Sequence, residues 1–463
     1  MLNRREFLKS TLVGGAVLTS GCRWCGWNAT GAPMAGFRCA PFGRIRVGVI
    51  GLGARGGAAV RRLASVPGVE IVALCDVRAD LAKGLSDWLG AEGKGPVRTF
   101  AGTDESWKAL CDFDGLDVVY NCTPWQLHVE TSLYSLNAGK HTLIEVPAAL
   151  TIDDCWALVE TAENRRLHCM QLENECYCEE ELLGLSLARA GIFGELTHAE
   201  GGYVHDLTAY NWNGYWNNWR LRWNEKHAGD QYPTHGLGPL ALALDVNCGD
   251  SFQHLVSLSS KQAAFESYAR EYFPEGDCRR RMKIAMGDMT STLIQTAGGR
   301  SILLQHDVST PRPRYGRMVL QGSRGFFRAD PMEICLFDPN HKGSGHHKAF
   351  APDRLKEFVE KHRHPLWKAS GDEARRGGGH GGIDYMMDMR WSYCLQNGLP
   401  LDMSVYDLAA WCAVCELSER SVRSGSMPQT FPDFTRGAWR ALAPRPLWGS
   451  AEELRLVRPK KIS

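Results

Sequence analysis

The sequence predicts an α/β protein in two domains. The first is a doubly wound parallel sheet over residues 44–174, and the second an α+β domain with a largely antiparallel sheet over 175–435. Three observations predict this. Short apolar, β-branched runs alternate with helical runs through the first domain. The first of those runs ends in a G-x-G-x-x-G turn. Beyond residue 175 strand-like runs lie close together with turn residues between them, as antiparallel strands do.

The 463 residues are 44% hydrophobic, enough apolar material for two packed domains. A formal charge of +1 gives no reason to expect nucleic acid or an anionic membrane surface as partner. Residues 1–22 do not belong to the fold. "NRREFLKSTLVGGAVLTSGC" joins Arg4 and Arg5 to Phe7-Leu8-Lys9, a mild apolar run and a small-residue end, and resembles a bacterial twin-arginine export signal. The run from Thr11 to Ser20 is too short and glycine-rich to span a bilayer. The expectation is therefore a protein exported already folded, by the machinery for folded cargo, to the periplasm or to a lipid anchor at Cys22. A Gly/Pro-bearing linker follows at 23–43. With that route sixteen cysteines need no disulfide framework. Cys176/Cys178 and Cys412/Cys415 have no matching pair at zinc-site spacing and read as core, so no metal site is expected.

Taken in order, "RIRVGVIGLGARGGAAVRRLA" (44–64) is a strand, a glycine turn and a helix, and "VEIVALCD" (69–76) is the next strand. Helix "DLAKGLSDWLG" (80–90), strand "LDVVYNCTP" (116–124) and helix "WQLHVETSLYSLNAG" (125–139) follow. Strand "HTLIEV" (141–146), helix "TIDDCWALVETAENR" (151–165) and strand "LHCMQLEN" (167–174) complete the alternation. In the second domain "LTHAEGGYVH", "STLIQTAGG", "SILLQHD" and "RMVLQGSRGFFRAD" read as strands. Helices are expected at 179–190, around 235–246 and near 383–396. The Gly/His/Pro-rich stretch 339–382 reads as long irregular loops, and 436–463 as a C-terminal tail.

The glycine turn comprises Gly51, Gly53 and Gly56, and Asp76 stands twenty residues past Gly56 at the end of the second strand. The first glycine makes the turn, the second lets backbone approach a pyrophosphate, and the third packs helix on sheet. A carboxylate at Asp76 accepts from a ribose diol and repels a 2′-phosphate, so NAD is expected rather than NADP. Ligands of such sheets bind beyond the carboxyl ends of the strands, which brings "NCTPWQLH" (121–128) and "EVP" (145–147) to the same dinucleotide. Glu145 then faces the nicotinamide end, with no cation beside it in the sequence.

At these residues the chain resembles the glucose–fructose oxidoreductase/inositol dehydrogenase superfamily, which pairs a Rossmann domain with an open-faced sheet domain. That superfamily usually closes its fifth strand with Glu-Lys-Pro, the lysine acting in proton transfer. Here the triplet is Glu145-Val146-Pro147, which counts against a sugar dehydrogenase of the usual kind. A closer resemblance is carried by "TPWQLH", "EVPAALTIDDCWALVE", "LENECY", "GELTHAEGGYVHDL", "YPTHGLGPL", "HPLWK", "GHGGIDY" and "YDLAAW". Together they resemble glycoside hydrolase family 109, NAD-dependent α-N-acetylgalactosaminidase-like enzymes, many of them twin-arginine exported. The resemblance implies NAD contacts at Ala54, Arg55, Asp76, Trp125, Gln126, Leu127, His128, Glu145, Val146, Asn174, Tyr232, Pro233, Thr234 and His235. It implies sugar contacts at Tyr203, Arg220 and Tyr232, with a further tyrosine at Tyr315, beside Arg314. It also implies a dimer formed through the open sheet.

Family members cleave a glycosidic bond without net oxidation: the sugar C3 is oxidised, the C2 proton is lost, the C1 substituent leaves, water adds and C3 is reduced. That scheme needs proton-transfer groups. Tyr232 and His235 lie three apart in "YPTH", where Pro233 fixes the turn, and His235 is the leading candidate. Tyr203 and His205 alternate along a strand and share a face. Tyr177 follows Asn174 just past a strand end, and with Glu145 completes the candidate catalytic set. Arg220, among the tryptophans of "WNNWRLRW", suits substrate hydroxyls or an acetamido carbonyl. Two other functions fit part of the pattern: an exported NAD(P)-dependent sugar oxidoreductase of the glucose–fructose oxidoreductase type, and a non-catalytic sugar-binding protein.

Overall fold

The computed structural model describes residues 33–314, 316–340 and 348–454. The export-signal stretch, Cys22 and Tyr315 lie outside the described residues.

The first sheet is built from β1 (Ile45–Ile50), α1 (Ala54–Leu63), β2 (Val69–Asp76), α2 (Ala79–Ala91), β3 (Arg98–Ala101), α3 (Ser106–Cys111), β4 (Val118–Asn121), α4 (Trp125–Asn137), β5 (His141–Ile144), α5 (Ile152–Arg165) and β6 (Cys169–Gln171). Its order is β3-β2-β1-β4-β5-β6, all parallel, with helices crossing between strands. That is the doubly wound Rossmann arrangement the alternation predicts. The runs "IRVGVI" and "HTLI" are buried nearly throughout because helices cover both faces. α5 starts where the Thr151 hydroxyl accepts from the Asp154 N–H at 3.1 Å, with Asp153 and Asp154 in its first turn, and it stops at Arg166 in the left-handed region (φ 53°).

The second domain continues with α6 (Glu179–Arg189), β7 (Leu196–Val204), α7 (Thr208–Asn213), α8 (Trp219–Lys226), α9 (Thr234–Ala243), β8 (Phe252–Ser259), α10 (Ala264–Tyr272), β9 (Thr290–Thr296), β10 (Ser301–Asp307), β11 (Val319–Gly322), β12 (Gly325–Arg328), β13 (Glu333–Leu336), α11 (Pro352–His362), α12 (Pro365–Gly377), α13 (Ile383–Asn397), α14 (Val405–Arg423) and β14 (Gln429–Thr430). The sheet runs β13-β12-β11-β7-β10-β9-β8-β14. It is mixed: β7 and β10 are parallel and the other neighbours antiparallel. One face is covered by helices; on the other Leu258 and Leu293 are exposed. α14, opened by a capping box at Ser404 and Asp407, packs on both α5 and β8 and so joins the two halves. Cys176, Cys178 and Cys412 are buried in this shared core and Cys415 in a smaller cluster with Trp125 and Val146, and burial pushes the Cys412 thiol up to about 12.

A close approach positions the site. A Cβ at Gly236, on the first turn of α9, would sit 2.3 Å from the Gly202 nitrogen, and one at Gly201 would sit 2.6 Å from the Gly236 carbonyl oxygen. Only glycine at these places lets α9 lie directly on β7.

Four expectations are corrected. The 339–382 stretch contains α11 and α12; Pro352 and Pro365 sit in the first turns of these helices, where proline starts rather than breaks a helix. His364 adds a cap by accepting from the Leu366 N–H at 3.2 Å. "RMVLQGSRGFFRAD" is a hairpin of β11 and β12 rather than one strand, turning at Ser323-Arg324. Residues 436–454 pack back on the body, with Trp448 stacked on Tyr177 (5.1 Å between rings) and Glu453 paired with Arg390 at 2.7 Å. The described part of the expected linker is also anchored: Met34 is buried, and its N–H donates to the Tyr406 hydroxyl at 3.0 Å.

Candidate functional site

The glycine turn between β1 and α1 has the shape a dinucleotide requires. Gly51 has φ +83°, and a Cβ there would lie 2.5 Å from the Cys122 carbonyl oxygen. A Cβ on Gly56 would lie 1.7 Å from the Gly51 oxygen, so α1 packs tightly on the turn. At Gly53 a Cβ would meet nothing nearer than the Arg78 guanidinium at 3.6 Å, which leaves the approach to the α1 N-terminus clear. Asp76 caps the turn by accepting from the Leu52 N–H at 2.7 Å and the Arg78 N–H at 2.9 Å. Of the predicted contacts on α4, Gln126 and Leu127 are exposed on its first turn, while Trp125 is buried and donates to the Val146 carbonyl at 3.2 Å. Asn174 leaves its buried side-chain oxygen without a hydrogen-bond partner among the described residues. A clear cradle at Gly53 and an unpartnered amide oxygen at Asn174 fit a bound dinucleotide.

Glu145 does have a cation beside it. The Arg55 Nε donates to its carboxylate at 2.6 Å, and the same guanidinium reaches Asp384 at 2.9 Å. Arg62 extends the chain to Asp384 (3.6 Å) and Asp388 (2.7 Å). Burial works against charge on Asp384, but His380, Arg55 and Arg62 outweigh it and hold its carboxyl well below the usual range. The Asn174 amide also donates to Asp384, at 2.6 Å. The sequence could not reveal this pairing, because Arg55 and Glu145 are ninety residues apart. It revises two expected cofactor contacts: the Arg55 side chain and the Asn174 amide nitrogen are engaged with protein carboxylates. His128 is revised likewise. Its ring is buried between the Pro147 and Thr123 carbonyls, 2.8 Å from each, and desolvation pushes its pKa down to about 4. It joins two loops and does not reach the cleft.

The opposite wall gathers most of the predicted proton-transfer groups. The rings of Tyr203 and His205 on β7 lie 4.6 Å apart. Tyr232 and His235 lie 4.7 Å apart, and Tyr203 is 4.5 Å from Tyr232 and 5.0 Å from His235. Burial raises the Tyr203 hydroxyl to about 12 against the pull of Arg220 and raises Tyr232 well above its ordinary value, so both stay protonated donors at neutral pH. Burial, with Arg314, Arg220 and His235 adding to it, pushes His205 down to about 4 and keeps it a neutral acceptor. Arg220 lies under Trp125 and Tyr232, 4.7 Å from each ring, and donates to the Tyr215 hydroxyl at 2.7 Å. Among the described residues its Nε and one terminal nitrogen are buried without a hydrogen-bond partner, as are His205 Nε2 and Thr234 Oγ1 beside buried Pro233. Val146, where the wider superfamily carries lysine, sits in the apolar wall with Trp125, Leu150 and Tyr232. His235 borders a polar cleft of about 260 Å³ that it shares with Tyr203, Glu175 and Arg314.

Tyr177 is the clear miss. It is wholly buried, donates to Asp402 at 2.9 Å and stacks on Trp448, so it braces the core. Glu173, Asp384 and Tyr215 were not read as site residues. Glu173 and Asp384 stand inside "LENECY" and "GHGGIDY", where an acidic residue among small or turn residues was the available signal.

The arrangement sets a dinucleotide cradle against a cluster of tyrosines, histidines and one arginine, suited to moving protons on a polyhydroxylated ligand. Residues 177–441 match the family model described as glycosyl hydrolase 109, C-terminal domain. Residues 45–172 match that of the oxidoreductase family with NAD-binding Rossmann fold. The chain is 43% identical over 406 residues to a glycosyl hydrolase family 109 protein of Porphyromonas gingivalis, covering 85% of each chain. It is also 43% identical over 406 residues to an alpha-N-acetylgalactosaminidase of Bacteroides fragilis, covering 86% of this chain and 94% of that one. Among solved structures, levoglucosan dehydrogenase in complex with NADH and L-sorbose shares the fold, with a TM-score of 0.63 at 17% identity over 85% of this chain and all of the other.

Proposed function

The chain belongs to glycosyl hydrolase family 109, and from that premise we propose that it hydrolyses terminal N-acetylhexosamine glycosides, α-N-acetylgalactosamine foremost, with NAD retained in its Rossmann domain. The observation that carries this reading is the Tyr203–Tyr232–His235 cluster packed against Trp125 and Val146, at the carboxyl ends of β4 and β5. NAD, when bound in the Rossmann domain, would supply hydride chemistry at the sugar C3. The chain's residues manage the rest. His235 takes and returns a proton at the sugar, and the protonated Tyr203 and Tyr232 donate to its oxygens. Arg220 offers its unpartnered N–H groups to a hydroxyl or the acetamido carbonyl. Tyr315 is a further sugar contact in this reading. With valine at 146 no amine stands where a dehydrogenase of this superfamily carries its lysine, which favours a redox-neutral hydrolase over a net oxidase.

Two further parts of the reading rest on other features. The Arg4-Arg5 pattern supports export of the folded protein by the twin-arginine route, with Cys22 as a lipid anchor site. The exposed Leu258 and Leu293 on the open sheet face support a dimer through that face. The test of the activity is direct. The purified protein should show bound-nucleotide absorbance and release chromophore from an α-N-acetylgalactosaminide without added cofactor. Absence of both would overturn the reading in favour of a sugar-binding protein.

A further inference from the structure

At the end of β6, in "LENECY", Glu173 is fully buried. One of its oxygens lies 2.7 Å from His235 Nδ1 and also accepts from the Glu175 N–H at 3.1 Å; the other has no hydrogen-bond partner among the described residues. Gly238 makes room for this side chain, since a Cβ there would lie 3.1 Å from the Glu173 Cγ. A carboxylate can only accept, so Nδ1 must carry the ring proton. The remaining ring nitrogen, Nε2, then presents its lone pair on the cleft side.

We infer that Glu173 is the positioning residue of the reaction: it fixes His235 in the tautomer whose Nε2 accepts the sugar's proton, and it stabilises the imidazolium that results. The inference rests on His235 being the proton-transfer group. In the step, the sugar's bond to hydrogen breaks, its electron pair stays on the sugar, and a new N–H bond forms at Nε2. The positive charge appears next to Glu173, whose unpartnered oxygen has no competing donor. Catalytic triads use an aspartate for the same duty, and removing its charge there costs orders of magnitude in turnover. Other groups also face His235. Glu175 and Glu181 line the same cleft from the β6–α6 segment, with Arg314 and Arg317 across it. His205, Tyr203 and Tyr232 close the aromatic side. Glu175 is itself engaged by Arg314 and by the Cys178 thiol at 3.0 Å. Of the three carboxylates only Glu173 is within hydrogen-bond distance of the imidazole.

The experiment compares Glu173→Gln with His235→Ala and the wild type, each purified with its nucleotide. Glutamine keeps an acceptor for Nδ1 and removes only the charge. Turnover of E173Q should fall by roughly 10²-fold with KM within about threefold of wild type, since the lost interaction exists only when the imidazolium forms. Loss of a negative charge 2.7 Å from the ring disfavours imidazolium, so the acidic limb of the kcat/KM profile should move to lower pH. Bound-nucleotide absorbance should be unchanged. Wild-type turnover with an unmoved acidic limb in E173Q would overturn the inference while leaving His235 in place. Wild-type turnover in H235A would instead remove the reading beneath it. If E173Q does not fold, ¹⁵N-histidine NMR of the wild-type enzyme decides: the His235 signal should show a protonated Nδ1 and a bare Nε2, and the opposite tautomer would overturn it.

Discussion

On the parallel-sheet side of the cleft the charges are paired in a row, Glu145 to Arg55 to Asp384 to Arg62 to Asp388. On the mixed-sheet side, Arg220, His205 and Thr234 keep buried polar atoms with no hydrogen-bond partner among the described residues, and Glu173, just past β6, does the same where the two sides meet. Leaving such an atom unpaired costs about 1–3 kcal/mol, so several together are tolerated where a ligand completes them. The Arg55–Arg62 row is framework, and in the proposed reading the Arg220–His205–Thr234 side is the wall that meets the sugar. The difference shows why counting charged residues near a cleft identifies its chemistry poorly. Partners distinguish the two kinds of wall.

The sharpest way to break this comparison is to unpair the framework. Asp388→Asn leaves buried Arg62 without its 2.7 Å partner and should cost about 3–5 kcal/mol of stability, read from the denaturation midpoint. Turnover per folded, nucleotide-loaded molecule should stay near wild type. Loss of turnover with unchanged stability would move the network into the chemistry.

On the other wall the expectation is reversed. His235→Ala should keep its nucleotide, yet lose roughly 10²-fold in turnover per folded molecule. Near-wild-type turnover would give His235 a structural duty. A smaller effect is expected at the glycine turn. Asp76→Ala should weaken NAD binding about tenfold and relax discrimination against NADP, if the carboxylate meets the ribose diol as the sequence pattern implies. Its bonds to the Leu52 and Arg78 N–H groups would be lost too, so affinities for both nucleotides must be measured. Equal weakening for NAD and NADP would make Asp76 only a turn cap.

The smallest effect is expected of mild acid. Burial depresses His128, His141 and His205 from 6.5 to about 4. Between these values the unfolded chain binds protons that the folded chain refuses, so stability falls as pH drops from 6.5 towards 4. Over the first unit below 6.5 the melting temperature should drop by a few degrees, and a flat profile there would mean these rings are protonated in the fold.

How far the sequence carried these conclusions depended on range. The Rossmann half was legible because its signals are local: alternation of strand and helix, the glycine spacing, and Asp76 closing "VEIVALCD". Tyr203/His205 and Tyr232/His235 were legible as pairs for the same reason, each lying within one strand or one turn. That all four would meet depended on glycines 201, 202 and 236 bringing α9 onto β7, a tertiary fact. The partners of Glu145, His235 and Tyr177 are likewise 90, 62 and 225 residues away, beyond any periodicity. Helices α11 and α12 were lost for a different reason, because proline and glycine in 339–382 outweighed the apolar spacing of Leu355, Phe358 and Val359.

The central claim is that hydrolysis runs through a sugar oxidised at C3 and deprotonated at C2. The measurement that tests it most directly is hydrolysis of an α-N-acetylgalactosaminide in D₂O, with mass and NMR analysis of the released sugar. The account predicts deuterium at C2 where the base exchanges with solvent. It also predicts a slower reaction with substrate deuterated at C3 when hydride transfer limits the rate, and retention of that C3 label in the product. Protium retained at C2, together with no C3 isotope effect, would contradict it.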